Sequence, residues 1–123
     1  MAVLVIDDSL AMRAMLKRIL RDSGFEVIEA GNGGEGLERL RGRDDIQVVL
    51  VDWCMPGMDG CDFVRAVRAA DRHRELPMMM VTAEAEPDQI AKALAAGADE
   101  YVMKPFTRDA VLEKLNLLGI TSN

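Results

Sequence analysis

The chain has 123 residues, half of them hydrophobic and 29% charged but only 4% aromatic; this is the size of one compact domain, whose core Leu, Val, Ile, Ala and nine Met must fill. Fifteen basic against 21 acidic residues leave a formal net charge of −6, which argues against a nucleic-acid-binding surface, since that needs a basic stripe. No apolar run is long enough to cross a bilayer, the opening MAVLVIDDS meets acid too soon for a signal peptide, and two cysteines without CxxC spacing, Cys54 and Cys61, build no disulfide framework, so a cytoplasmic monomer with free thiols is expected, one domain over residues 1–123 with no output domain.

Ala2–Ile6 is a continuous apolar run and reads as a strand covered on both faces. Ser9 then suits a helix N-cap, and Met12, Met15, Leu16, Ile19 and Leu20 follow at i, i+3, i+4, i+7 and i+8 on one face. Gly24 ends that helix. Glu26–Ala30 is a weaker strand, and Leu37 and Leu40 mark a second helix. Residues 47–51 form another strong strand, and Phe63, Val64 and Val67 mark a third helix. Residues 77–81 make the next strand. Ile90, Ala93 and Leu94 mark a fourth helix, which Gly97 stops. Glu100–Met103 is the last strand, and Thr107 caps a fifth helix that buries Val111, Leu112, Leu115 and Leu118. Strands alternating with helices give a doubly wound (βα)5 domain of the α/β class, with a parallel sheet.

In an open α/β sheet, ligands bind beyond the carboxyl ends of the strands. Asp7 and Asp8 follow the first strand, Asp52 follows residues 47–51, Thr82 follows residues 77–81, and Lys104 and Pro105 follow the last strand. Any one of these aspartates is an ordinary turn residue. Three carboxylates, a hydroxyl and an ammonium converging on one edge are not. Carboxylates at close range remain ionised together only beside a cation. Oxygen-only ligands select a hard ion, and no His or Cys is placed to recruit zinc, so Mg²⁺ is the expected cofactor. A carboxylate beside Mg²⁺ and Lys104 is equipped to attack phosphorus, with Thr82 able to donate to a phosphoryl oxygen.

The acidic pair in VIDDS, the segment VDWCMPGMDG, then VTAE and YVMKPFT stand in order at strand ends. With them the chain resembles the response-regulator receiver domain family, in its CheY-like single-domain form, over nearly its whole length. The resemblance implies a flavodoxin-like sheet of order 2-1-3-4-5. It implies that Asp52 accepts the phosphoryl group, that Asp8, Asp52 and the main-chain carbonyl of Cys54 bind Mg²⁺ directly, and that Asp7 assists through water. It makes Thr82 and Lys104 the phosphoryl contacts, Tyr101 the aromatic that follows Thr82, and the Lys104–Pro105 bond cis. It points to Ile90, Tyr101, Met103 and Lys114 as the surface that meets a downstream protein. Cys54 and Glu84, two residues beyond Asp52 and Thr82, occupy positions that vary among members, and Trp53 is placed to report on the site.

The only histidine, His73, sits in the charged stretch DRHRE and reads as a solvated loop residue. With no phosphohistidine of its own and no Gly-rich nucleotide loop, the chain needs an outside donor, which the resemblance identifies as a histidine kinase. Two rivals remain at this stage: an aspartate-nucleophile phosphatase of the haloacid-dehalogenase kind, which wants a second acid where Cys54 stands, and a flavodoxin, which wants a Ser/Thr/Gly phosphate loop where DDSLAM stands. Within the receiver reading, direct output and a phosphorelay shuttle are both open.

Overall fold

The computed structural model describes residues 2–83 and 87–121. Each apolar run becomes a strand and each amphipathic stretch a helix. The order is β1 (Ala2–Ile6), α1 (Leu10–Asp22), β2 (Glu26–Ala30), α2 (Gly33–Arg41), β3 (Ile46–Asp52), α3 (Gly60–Ala69), a short 3₁₀ turn (Asp71–His73), β4 (Met78–Thr82), α4 (Pro87–Ala96), β5 (Glu100–Met103) and α5 (Arg108–Leu117). All strand pairs are parallel, and the sheet order is β2-β1-β3-β4-β5, as the resemblance implied. Because strand side chains alternate, β1 sends Leu4 and Ile6 to one face and Val3 and Val5 to the other. On the first face they meet Leu40 of α2, Phe63, Val64 and Val67 of α3, and Ala93 and Ala96 of α4. On the second they meet Leu16 and Leu20 of α1, and Val111 and Leu115 of α5. Burial on both faces explains the unbroken hydrophobicity of β1, β3 and β4.

Helix boundaries follow their caps. Ser9 accepts from Met12 N, Asn32 from Glu35 N, and Thr107 from Ala110 N. Asp59 and Asp62 form a reciprocal capping box that starts α3. Gly24 and Gly97 take the positive φ that ends α1 and α4.

Several expectations are corrected. Strands β3 and β4 end one residue later than the sequence suggested, so Asp52 and Thr82 are the last residues of their strands, held in register with Val81 and Met103, rather than the first residues beyond them. Met15 is 49% exposed and Leu94 50% exposed. Each lies about 100° round its helix from a buried neighbour, Leu16 or Ala93, and so falls off the edge of the core stripe. Leu112 and Leu118 are only partly buried. His73 is half-buried in the 3₁₀ turn, with Nε2 shut away from solvent without a hydrogen-bond partner. Glu84 lies outside the described residues. Among the described residues no helix is long and apolar enough to cross a membrane.

Candidate functional site

The site forms where β1, β3, β4 and β5 end together. Strand β1 leaves the sheet at Ile6, and Asp7 is fixed from several directions. Its N–H donates to Ala30 O at 3.2 Å, its Oδ1 accepts from Ser9 N at 2.9 Å, and its carbonyl accepts from Arg13 Nη1 at 2.9 Å. Asp7 is 1% exposed, whereas Asp8, next to it, is exposed. Asp52 closes β3, the central strand, at 5% exposure, and the chain beyond it is tied back by Trp53 N to Val81 O and Gly60 N to Trp53 O, both 2.9 Å. Lys104 directly follows β5 and is joined to Pro105 by a cis bond; its N–H donates to Thr82 O at 2.7 Å.

One carboxylate oxygen from each of Asp7, Asp8 and Asp52 lies within 4.8 Å of the others. Lys104 Nζ donates to Asp52 Oδ1 at 2.9 Å and faces Asp7 Oδ2 at 3.5 Å. Burial pushes the Asp52 carboxyl above its ordinary range and the charges of Asp7 and Asp8 add to this, while the Lys104 hydrogen bond opposes it. For Lys104, burial alone would lower its affinity for a proton; the hydrogen bond and charge of Asp52, with the charge of Asp7, outweigh that and raise it. Asp7 Oδ2 is buried and accepts no hydrogen bond, its one charge partner among the described residues being Lys104 Nζ at 3.5 Å; a cation or its water would complete its shell. An all-oxygen donor set, closely spaced and carrying an unsatisfied buried acceptor, fits a hard divalent ion such as Mg²⁺.

The fold brings Asp7, Asp8, Asp52 and Lys104 into one cluster and puts Thr82, 5% exposed, at the end of the adjoining strand. Cys54 is in the β3–α3 loop two residues past Asp52, its side chain exposed. Cys61 is buried in α3, and burial raises its thiol pKa. A groove of about 280 Å³ opens beside Asp8, lined by Gly31, Asn32, Gly33, Gly34, Pro56 and Met58. The remaining predicted residues stand apart from the cluster, at the β5 edge. Tyr101 is half-buried, with Lys114 Nζ 4.8 Å from its ring centroid; Met103 is exposed, and Ile90 is half-buried on α4.

Two participants were not found by sequence reasoning. Glu100 accepts from Lys114 Nζ at 3.0 Å and thereby holds it over Tyr101. Arg13 holds the Asp7 carbonyl. Neither has a sequence signature, because each acts through a partner that only the packing of elements supplies.

A family model described as the response regulator receiver domain matches residues 3–116. The chemotaxis protein CheY of Pseudomonas aeruginosa is 46% identical over 116 residues, covering 94% of this chain and 93% of that one. Chemotaxis protein CheY-3 of Vibrio cholerae is 42% identical over 117 residues, covering 94% and 89%. The solved structure of Vibrio cholerae CheY4 superposes with a TM-score of 0.90 at 36% identity, covering 95% of this chain and 98% of that one. The matched span takes in the acidic turn after β1, the strand-end aspartate and the Lys-Pro turn, and on these grounds the chain belongs to the response regulator receiver domain family, as a CheY-like member.

Proposed function

We propose that this chain is a phosphorylation-activated switch of a two-component system, taking a phosphoryl group from a histidine kinase onto Asp52 and signalling in the cytoplasm to a protein target, in chemotaxis or motility. The observation that carries the reading is Asp52 itself: a carboxylate ending the central strand, hydrogen-bonded to an ammonium and within 4.8 Å of two further carboxylates. Asp8, Asp52 and the Cys54 carbonyl would hold Mg²⁺ directly, with Asp7 acting through water. When bound, the ion supplies the charge neutralisation that lets an anionic carboxylate meet an anionic phosphoryl group.

The chain's own residues do the rest. An Asp52 carboxylate oxygen attacks phosphorus in line; an O–P bond forms, the donor's N–P bond breaks, and the leaving imidazole keeps the electron pair and takes a proton from solvent. Lys104 exchanges its hydrogen bond to Asp52 for one to a phosphoryl oxygen. Thr82 donates its hydroxyl to another phosphoryl oxygen. The move of Thr82 leaves space towards β5, which the Tyr101 ring fills by leaving Lys114. The two packings of Tyr101 give the surface of α4, β5 and α5, with Ile90, Met103 and Lys114, two states for a partner to tell apart. Loss of the phosphoryl group to water resets the switch, so the chain promotes its own phosphorylation and dephosphorylation without being a conventional enzyme. An exposed thiol, Cys54, stands where an aspartate-nucleophile phosphatase would carry its second acid.

Incubation with acetyl phosphate and Mg²⁺ tests the reading. Asp52 alone should be labelled, as an acyl phosphate labile to base and hydroxylamine. Equal labelling of Asp52→Asn would place the acceptor elsewhere.

A further inference from the structure

The carboxylates of the acidic turn are aimed by groups outside the cluster. Arg13, in the second turn of α1, reaches back so that Nη1 donates to Asp7 O at 2.9 Å while Nε lies 3.4 Å from Glu29 Oε1 on β2. Glu29 is held in turn by Lys17 Nζ at 2.9 Å. The guanidinium also has a reserved space: a Cβ on Gly31 would stand 3.0 Å from Arg13 Nη1. The side chain of Asp8, in contrast, makes no hydrogen bond among the described residues, so what holds it towards the cluster is the backbone that sets its Cα–Cβ direction. The Asp7 carbonyl that Arg13 grips belongs to the peptide plane joining Asp7 to Asp8.

We propose that Arg13 is a positioning residue for the cation site: bridging the Asp7 carbonyl and Glu29, it fixes the peptide between the two aspartates and hence the direction in which the Asp8 side chain leaves the backbone. This rests on reading Asp7, Asp8 and Asp52 as a Mg²⁺ site. Position and charge pull in opposite directions here. As a cation close to the acidic turn, Arg13 repels an incoming divalent ion, so its removal by charge alone would tighten binding. As the group that orients the ligands, its removal loosens binding, and loss of such an outer partner weakens metal affinity by roughly tenfold or more.

The sign of the change is therefore the test. Mg²⁺ is titrated into the full chain by calorimetry and by Trp53 fluorescence, for the parent, Arg13→Met, Arg13→Lys and Gly31→Ala, with thermal melts in EDTA to establish that each is folded. Arg13→Met should bind roughly tenfold more weakly. Arg13→Lys, which keeps the charge but reaches only one of the two partners, should fall between it and the parent. Gly31→Ala, which crowds the guanidinium, should weaken binding in the same direction, and it carries the test with Arg13→Lys should Arg13→Met fail to fold. Unchanged or tighter binding in the Arg13 variants, against a parent that binds, overturns this inference alone. A parent that takes up no Mg²⁺ overturns the proposed function and this inference with it.

Discussion

Asp52→Asn removes one charge from a cluster of three carboxylates and one ammonium while keeping the shape of the side chain. Asp52 is repelled by two oxygens at no more than 4.8 Å and attracted by Lys104 Nζ at 2.9 Å. At an effective dielectric of ~20 the repulsion from buried Asp7 is ~3.5 kcal/mol and the attraction to Lys104 ~6 kcal/mol, and exposed Asp8 adds a screened repulsion, so the charges nearly cancel. Burial then tips the balance against the ionised side chain, in agreement with a carboxyl pushed above its ordinary range. In EDTA at neutral pH the variant should be more stable by about 1–2 kcal/mol, with Tm raised by on the order of 4 °C per kcal/mol for a chain of this length. Asp8→Asn should move the same way by less, because Asp8 is exposed and its charge is screened. The pH dependence follows from the raised pKa. The folded state holds the Asp52 proton more tightly than the unfolded chain, so the ionised group costs stability above its folded pKa and costs nothing below the ordinary ~3.9. The advantage of Asp52→Asn over the parent should therefore shrink as pH falls through that window. Saturating Mg²⁺ should reverse the order, since ~100 Kd of a ligand that binds only the folded parent adds about 2.7 kcal/mol. Thermal melts decide it: a lower Tm in EDTA for both Asp52→Asn and Asp8→Asn would refute the electrostatic argument.

Gly60→Ala tests how closely α3 is docked behind the acceptor. The new Cβ would lie 2.7 Å from both Asp52 O and Met80 Sδ; the methionine can yield and the carbonyl cannot, so urea unfolding should show a loss of about 1–3 kcal/mol, and acetyl phosphate should label Asp52 more slowly. Mg²⁺ should change Trp53 fluorescence in the parent and not in Asp8→Ala; an unaltered titration in that variant would count against the site. Phosphorylation should shift backbone amide NMR signals around Ile90, Tyr101 and Lys114, and those shifts should be small in Thr82→Ala. Changes confined to the loops beside Asp52, or a parent-like response in Thr82→Ala, would remove the proposed coupling.

The sequence by itself determined the elements and the composition of the site. Runs of four or five residues, most of them apolar, separated by amphipathic stretches read as strands and helices in alternation, and right-handed crossovers then send every strand's carboxyl end to the same edge. The polar residues terminating those runs, Asp7, Asp8, Asp52, Thr82 and Lys104, thus had to share that edge, and an acidic, oxygen-only set without His or Cys already favoured a hard cation. Tertiary structure decided what local pattern does not encode. The pairing of β1 with β3 brings Asp7 beside Asp52, although 45 residues of chain separate them; the sequence reached that order only through family resemblance, because strand neighbours are selected by the packing of whole faces. The same holds for Met15 and Leu94, helical in period yet exposed, since the width of a buried stripe depends on what lies opposite. It holds for Lys114 over Tyr101 and for Arg13 on the Asp7 carbonyl. These contacts join elements distant in sequence or side chain to backbone, and a long flexible cation carries no mark in the sequence of which carbonyl or ring it will reach.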